Sequence, residues 1–328
     1  MTSALPVVAL AIGLAILVWS ADKFIDAAAA LAHHFGLPAL FIGVVIVGFG
    51  TSAPEMTVSV LAAMDGSPDL ALGNALGSNI ANVCLILGIT LLMYRLDVHS
   101  SIVRKEIPIL LITSAELIPL LIDGEMTRLE GIGLLSVFAA IMAWTAWQAQ
   151  QNRTDPLATE ADALATDAEE HMPTQKAWLW LLLGLGMLIG GSRLMVWGAV
   201  QIATAMGVSE LVIGLTIVAV GTSLPELAAC ISAARKGQHE LALGNVLGSN
   251  LFNLLGVIGL ATVVQPYSVD PMVLPRDMAW IMGTTALLWW LSRARSQELG
   301  VLGRGAGVLF TTLYGAYTVH LFMTSGTA

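Results

Sequence analysis

The chain repeats itself, without insertion or deletion, at an offset of 171 residues. Gly50-Thr51-Ser52-Ala53-Pro54-Glu55 returns as Gly221-Thr222-Ser223-Leu224-Pro225-Glu226. Gly73-Asn74-Ala75-Leu76-Gly77-Ser78-Asn79 returns as Gly244-Asn245-Val246-Leu247-Gly248-Ser249-Asn250, and Asn82 returns as Asn253. About half of the positions between Leu40 and Gly88 match their partners. The surviving residues are glycines, prolines, hydroxyls, amides and one carboxylate per copy. Generic apolar packing does not require that mixture, so the repeat marks a site built from both halves.

The residues around the repeat decide its solvent. The 328-residue chain is 56% hydrophobic and 11% charged, with mean hydropathy +0.81. A soluble domain carries about a quarter charged residues. Ten apolar runs long enough to cross a bilayer recur, near residues 4–21, 37–64, 70–93, 103–122, 129–149, 177–198, 208–234, 241–265, 274–292 and 300–323. The expectation is an all-α integral membrane protein whose main partner is the lipid bilayer. Outer-membrane barrels are excluded, because their strands are shorter and alternate in polarity. The first run has no Lys or Arg before it, so it reads as a retained helix and not a secretory signal. Nothing in the charge pattern calls for nucleic acid, and no feature demands an obligate protein partner. Cys84 and Cys230 fall in apolar runs and read as small buried hydrophobes, with no cofactor implied.

Charge also orients the chain. Of its 14 Lys and Arg, only Arg128, Arg193 and Arg276 fall on the even-numbered side of ten spans. The positive-inside rule places the odd connections in the cytoplasm and both termini outside, most simply in the cell's inner membrane. The longest polar stretch, with Asp155, Glu160, Asp162, Asp167, Glu169 and Glu170, reads as an acidic cytoplasmic linker. It divides the chain into residues 1–149, a first five-helix repeat, the linker 150–176, and residues 177–328, a second five-helix repeat. An odd number of crossings per half makes the second copy enter the membrane inverted. Ten transmembrane helices in two inverted five-helix repeats form a transporter architecture, with the site at the midplane where broken helices meet.

Gly48, Gly50 and Pro54 crowd the second span, as Gly214, Gly221 and Pro225 crowd the seventh. Proline removes a backbone hydrogen bond and clashes one turn back. Within a bilayer such a break persists only where something satisfies the freed groups. The spacing therefore predicts breaks near Thr51 and Thr222, with carbonyl oxygens turned inward. Glu55 and Glu226 sit just beyond, each one turn from its threonine and on the same face. Ionisable groups at membrane depth usually mark an ion or proton path. Two carboxylates brought together must share a proton or hold a cation, and hard cations prefer several oxygen ligands. In the third and eighth spans Ser78 and Asn82, and Ser249 and Asn253, stack four apart. That makes Asn82 and Asn253 ligand candidates, while Asn74, Asn79, Asn245 and Asn250 read as interhelical hydrogen-bond glue. Gly73 and Gly77, with Gly244 and Gly248, form small-xxx-small pairs suited to close helix approach.

G-T-S-x-P-E followed by G-N-x-x-G-S-N-x-x-N, present twice, resembles the two α-repeats of the Ca²⁺/cation antiporter superfamily, most closely its prokaryotic sodium/calcium exchanger branch. The resemblance implies ten helices, alternating access, and exchange of cytoplasmic Ca²⁺ for external Na⁺, both as transported ions. It places the ligands on Glu55 and Glu226, flanked by Thr51, Ser52, Thr222 and Ser223. Ser78, Asn82, Ser249 and Asn253 complete the cluster, with backbone carbonyls near Val47, Gly48, Val218 and Ala219. Several family members carry Asp at one of the positions equivalent to Asn82 and Asn253. Here both are Asn, which leaves two carboxylates, enough to neutralise one Ca²⁺.

Two other readings use the same residues. One is an antiporter of H⁺ for Ca²⁺ or another divalent cation; proton-coupled relatives carry G-N-x-x-E, absent here. The other is a cation channel, although channels commonly build their rings by oligomeric symmetry. An enzyme is not expected, since no H-E-x-x-H or comparable paired motif occurs. Asp22 and Arg193 occupy equivalent positions and suggest snorkelling or an inter-repeat ion pair.

Overall fold

In a computed structural model, residues 4–37, 39–66, 68–100, 102–151, 172–206, 219–293 and 299–325 are described. Most of the linker, together with Gly214 and Val218, lies outside the described residues. The fold is helical. Its elements are α1 (Leu5–Phe35), α2 (39–51), α3 (Ala53–Met64), α4 (68–93), α5 (102–122), α6 (Arg128–Gln151) and α7 (Thr174–Ala205). Then follow a short helical segment (Ala219–Thr222), α8 (Leu224–Arg235), α9 (239–264), α10 (273–291) and α11 (Arg304–Ser325).

Among the described residues, α1, α4, α6, α7, α9 and α11 are each long and apolar enough to cross a membrane, and the broken pair α2–α3 makes a seventh span. The remaining expected spans are helical over 102–122, 219–222, 224–235 and 273–291 without by themselves meeting that standard, and residues 208–218 of the seventh lie outside the described residues. Large apolar side chains cover the outside, among them Leu5, Leu129, Trp147, Leu182 and Met323. Such a surface suits lipid and not water.

The repeat is reproduced down to backbone irregularities. α4 contains a π-helical turn at Asn82–Ile86, and α9 contains one at Phe252–Val257. α5 begins with another at Ile102–Glu106, matched at the start of α10 by Val273–Met278. Gly66 and Gly237, equivalent residues, both take left-handed φ of 79° and 73° to turn the chain from α3 into α4 and from α8 into α9. A side chain there would be strained. Two short antiparallel ladders, unforeseen in the sequence, join β1 (Leu96–His99) to β4 (Leu299–Leu302) and β2 (Glu125–Met126) to β3 (Tyr267–Ser268). Each pairs a strand of one repeat with a strand of the other.

By compactness the chain forms two units, each drawn from both halves: Met1–Pro54 with Thr145–Asn245, and Glu55–Trp144 with Val246–Ala328. In the first, α1 and α7 lie against each other along a glycine seam. A Cβ on Gly13 would fall 2.7 Å from the Met195 amide nitrogen, and one on Gly184 would fall 3.1 Å from Phe24 Cβ. Gly13 and Gly184 are repeat equivalents, as are Phe24 and Met195, so the contact is two-fold. Further along, Gly198 meets Pro6 and Leu10. Numbers rise along one helix as they fall along the other, so the first helices of the two repeats run antiparallel. This is the inversion the odd helix count requires. α1 extends 14 residues past the expected end at residue 21, because the alanine-rich turns from Ala27 to Ala32 have high helix propensity and are buried.

In the second unit, Gly88 of α4 meets Phe310 and Thr311 of α11, and Gly131 of α6 meets Thr262 and Val263 of α9. These helix pairs are again equivalent. Gly73 and Gly77, expected to pack closely, have nothing among the described residues within 4 Å of a built Cβ. In the first unit Gly244, the equivalent of Gly73, does lie at a close approach: a Cβ on Gly43 would fall 3.1 Å from the Gly244 Cα.

Candidate functional site

The breaks form where proline dictates them. Helix ends at Thr51 and resumes at Ala53, and ends again at Thr222 to resume at Leu224. The intervening serines share one conformation, with φ −81° and ψ 0° at Ser52 and φ −90° and ψ 8° at Ser223. Pro54 and Pro225 then sit in the first turn of the new helix, where no amide hydrogen is needed. Glu55 and Glu226 follow in that same turn, and both are buried.

In the first unit, the Ser52 hydroxyl donates to Glu226 Oε1 at 3.4 Å. Thr51 Oγ1 lies 3.0 Å from Asn245 Oδ1, 3.1 Å from the Val47 carbonyl and 3.4 Å from that of Gly48. Asn245 Nδ2 donates to the Glu226 carbonyl at 3.1 Å. Ser223 Oγ is buried with no hydrogen-bond partner among the described residues. Val47 closes a π-helical turn, Gly43–Val47, and Gly48 follows it. Thr222 is half-buried, and Ala219 opens its helical segment.

The second unit holds the other candidates. Asn74 Nδ2 donates to the Glu55 carbonyl at 3.4 Å and to Ser59 Oγ at 3.0 Å. Asn74 and Asn245 therefore perform the same tie on equivalent glutamates, which accounts for both as interhelical glue. The correspondence extends to Ser59 and Cys230, which donate to the carbonyls of Ala71 and Ala242 respectively. Asn82 Nδ2 donates to Asn250 Oδ1 at 2.9 Å, and Asn79 Nδ2 turns back to Ala75 O on its own helix. Ser78 and Ser249 are buried. Asn82 and Asn253 lie within the π-helical turns, and the Oδ1 atoms of both have no hydrogen-bond partner among the described residues. π-helical turns inside α-helices often coincide with functional sites.

Chemically, the candidates offer hard oxygen only: carboxylate, carboxamide, hydroxyl and backbone carbonyl. The nearest basic residues in sequence, Arg235 and Lys236 at the end of α8, are engaged elsewhere. Arg235 pairs with Asp22 at 2.6 Å, Lys236 pairs with Asp26, and Ser232 donates to Asp22 at 2.6 Å. The inter-repeat ion pair at Asp22 thus exists, but with Arg235 and not with its equivalent, Arg193. Sequence reasoning missed Ser192, whose hydroxyl donates to the Gly221 carbonyl at 2.6 Å, beside the second break. A lone hydroxyl in the Gly190-Gly191-Ser192 run was the available clue.

A family model described as sodium/calcium exchanger protein matches residues 5–147 and 176–323. Over 314 residues the chain is 40% identical to CaxA of Alkalimonas amylolytica, covering 95% of this chain and 97% of that protein. It is 39% identical over 320 residues to the inner membrane protein YrbG of Escherichia coli K12, covering 96% and 95%. Among solved structures, the sodium-calcium exchanger NCX_Mj soaked with 10 mM Na⁺ and 10 mM Sr²⁺ superposes with a TM-score of 0.80 at 29% identity, covering 96% of this chain and 97% of that one.

Proposed function

Because this chain belongs to the sodium/calcium exchanger family, we propose that it exchanges Na⁺ for Ca²⁺ by alternating access, using the sodium gradient to extrude Ca²⁺. Membership makes it an integral membrane cation antiporter. The observation that carries the finer reading is the pair of buried carboxamide oxygens on Asn82 and Asn253 that accept no hydrogen bond among the described residues. A buried polar atom left unsatisfied costs about 1–3 kcal/mol. Two at repeat-equivalent positions are the signature of acceptors kept for a cation.

Glu55 and Glu226 supply the charge for one Ca²⁺. Thr51, Ser52, Thr222 and Ser223 add hydroxyls at the breaks, and Ser78, Asn82, Ser249 and Asn253 complete the oxygen shell. Carbonyls near Val47, Gly48, Val218 and Ala219 take a Na⁺ as readily as a Ca²⁺, so occupancy by one ion excludes the other. Two five-helix repeats joined by the linker 150–176 carry these groups. We place both termini outside and the linker in the cytoplasm, within the inner membrane. In support, His34 Nε2 lies 2.7 Å from the Met172 carbonyl, bringing the end of α1 to the end of the linker.

The test is ⁴⁵Ca²⁺ uptake into Na⁺-loaded vesicles diluted into Na⁺-free medium. Uptake that collapses when internal Na⁺ is replaced by choline is expected. Uptake driven equally by a proton gradient would instead establish proton coupling, and uptake needing neither would establish a channel.

A further inference from the structure

Four buried carboxamides stand in the second unit, and the repeat matches Asn79 with Asn250 and Asn82 with Asn253. Their bonding does not follow that match. Asn82 Nδ2 donates across to Asn250 Oδ1 at 2.9 Å, whereas Asn79 Nδ2 bends back to the Ala75 carbonyl of its own helix at 2.8 Å. A carboxamide has one acceptor end and one donor end, so the bond to Asn250 fixes which end of Asn82 is left over. It is Oδ1, buried and without a hydrogen-bond partner among the described residues. The terminal torsion of an unrestrained asparagine is broad and roughly two-fold. Such an amide presents N–H hydrogens, which repel a cation, as readily as oxygen. Asn79 Oδ1 has no hydrogen-bond partner among the described residues, so the equivalent bond from Asn253 to Asn79 is not formed.

We infer that Asn250 is a positioning residue: it holds the amide of Asn82 oxygen-first toward the transported cation, a role that its repeat equivalent Asn79 does not share. The inference rests on the ligand set proposed above. Outer groups that orient a ligand govern how much of its affinity is realised, because an oxygen already aimed needs no reordering when the ion arrives. Asn250 gives the ion no atom of its own in this role. The two carboxamides are thereby unequal despite identical residues: the one at 82 is held by the opposite repeat, and the one at 253 is not held by Asn79.

A double-mutant cycle on full-length protein in Na⁺-loaded vesicles separates this role from simple glue, with ⁴⁵Ca²⁺ uptake measured against external Ca²⁺. Asn250→Ala should raise the half-saturating Ca²⁺ concentration about 2- to 10-fold, the range of one net hydrogen bond, with the maximal rate within about twofold. Asn79→Ala should leave half-saturation within about twofold of the wild type, below that range. Asn82→Ala should raise it, and adding Asn250→Ala on that background should shift it no further, because the amide it orients is gone. For a variant that transports too slowly to fit, the Ca²⁺-dependent rise of its unfolding midpoint in detergent supplies the same comparison. If Asn250→Ala is not recovered as folded protein, Asn250→Ser replaces it, since serine is too short to reach Asn82. No shift from Asn250→Ala, a shift that persists without Asn82, or an equal shift from Asn79→Ala would overturn the inference and leave Asn82 a ligand. Half-saturation unchanged by Asn82→Ala would instead overturn the ligand set itself.

Discussion

Replacing Gly198 by alanine tests the seam between α1 and α7 most directly. The new Cβ would lie 2.6 Å from the Pro6 carbonyl oxygen and 3.0 Å from the Leu10 amide nitrogen, whereas ordinary contact begins at 3.4 Å. Both obstacles are backbone, so no rotamer change relieves them and the helices must part by about 0.8 Å at that point, the shortfall of the shorter contact. Overpacking of this kind costs about 1–3 kcal/mol. Gly186→Ala on the same helix is the matched control, because nothing among the described residues lies within 4 Å of its built Cβ. Both substitutions gain the same helix propensity, about 1 kcal/mol, so their difference isolates the seam. Thermal unfolding in detergent, followed by tryptophan fluorescence, should place Gly198→Ala below Gly186→Ala. Trp19 and Trp180, edge to face at 5.7 Å between ring centroids, report from across this same pair of helices. Equal stability of the two variants would refute the close-contact argument and, with it, the antiparallel register read from these glycines.

Glu55→Gln and Glu226→Gln should each abolish ⁴⁵Ca²⁺ transport while leaving the unfolding midpoint unchanged or raised, since each removes a buried charge. Ser223→Ala should weaken Ca²⁺ affinity without destabilising the protein, because its hydroxyl has no partner to lose among the described residues; a lowered midpoint would show a structural role instead. Ser192→Ala should cost about 0.5–1.5 kcal/mol of stability, measured in the same unfolding assay, through loss of its 2.6 Å bond to Gly221. Asp22→Asn should cost no more than about 1 kcal/mol, because the Asp22–Arg235 pair is partly exposed.

The membrane class, the two breaks and the inversion were legible because each follows from a local rule. Proline at 54 and 225 ends a helix whatever surrounds it, and odd crossing numbers reverse a repeat without reference to packing. The placement of close contacts was not legible. Gly73-x-x-x-Gly77 and the glycines of α1 and α7 are chemically alike, and only a partner's backbone makes a seam of one and not the other. The π-helical turns escaped for a similar reason: one extra residue per turn changes no polarity pattern, so nothing in the order of apolar residues marks Asn82–Ile86. Asn245 was recognised as polar glue, but its double engagement with Thr51 and Glu226 depends on which amide atom faces which neighbour. Asp22 was read as a charge seeking the interface, and its partner came from 213 residues away.

The two-fold glycine seam has a mechanical consequence. Two helices interlocked by backbone contact cannot slide past each other by even one 1.5 Å step without lifting a glycine onto a neighbouring ridge, so α1 and α7 shift as a single lever. The glycine contacts read the same from either helix, so the seam itself does not distinguish one end of the pair from the other. Asp22 and Asp26 break that degeneracy. Their equivalents are Arg193 and Trp197, so the ion pairs with Arg235 and Lys236 have no mirror image in the other repeat. One end of the lever is therefore tied by charge to the end of α8, and salt, which screens partly exposed charges, loosens that end.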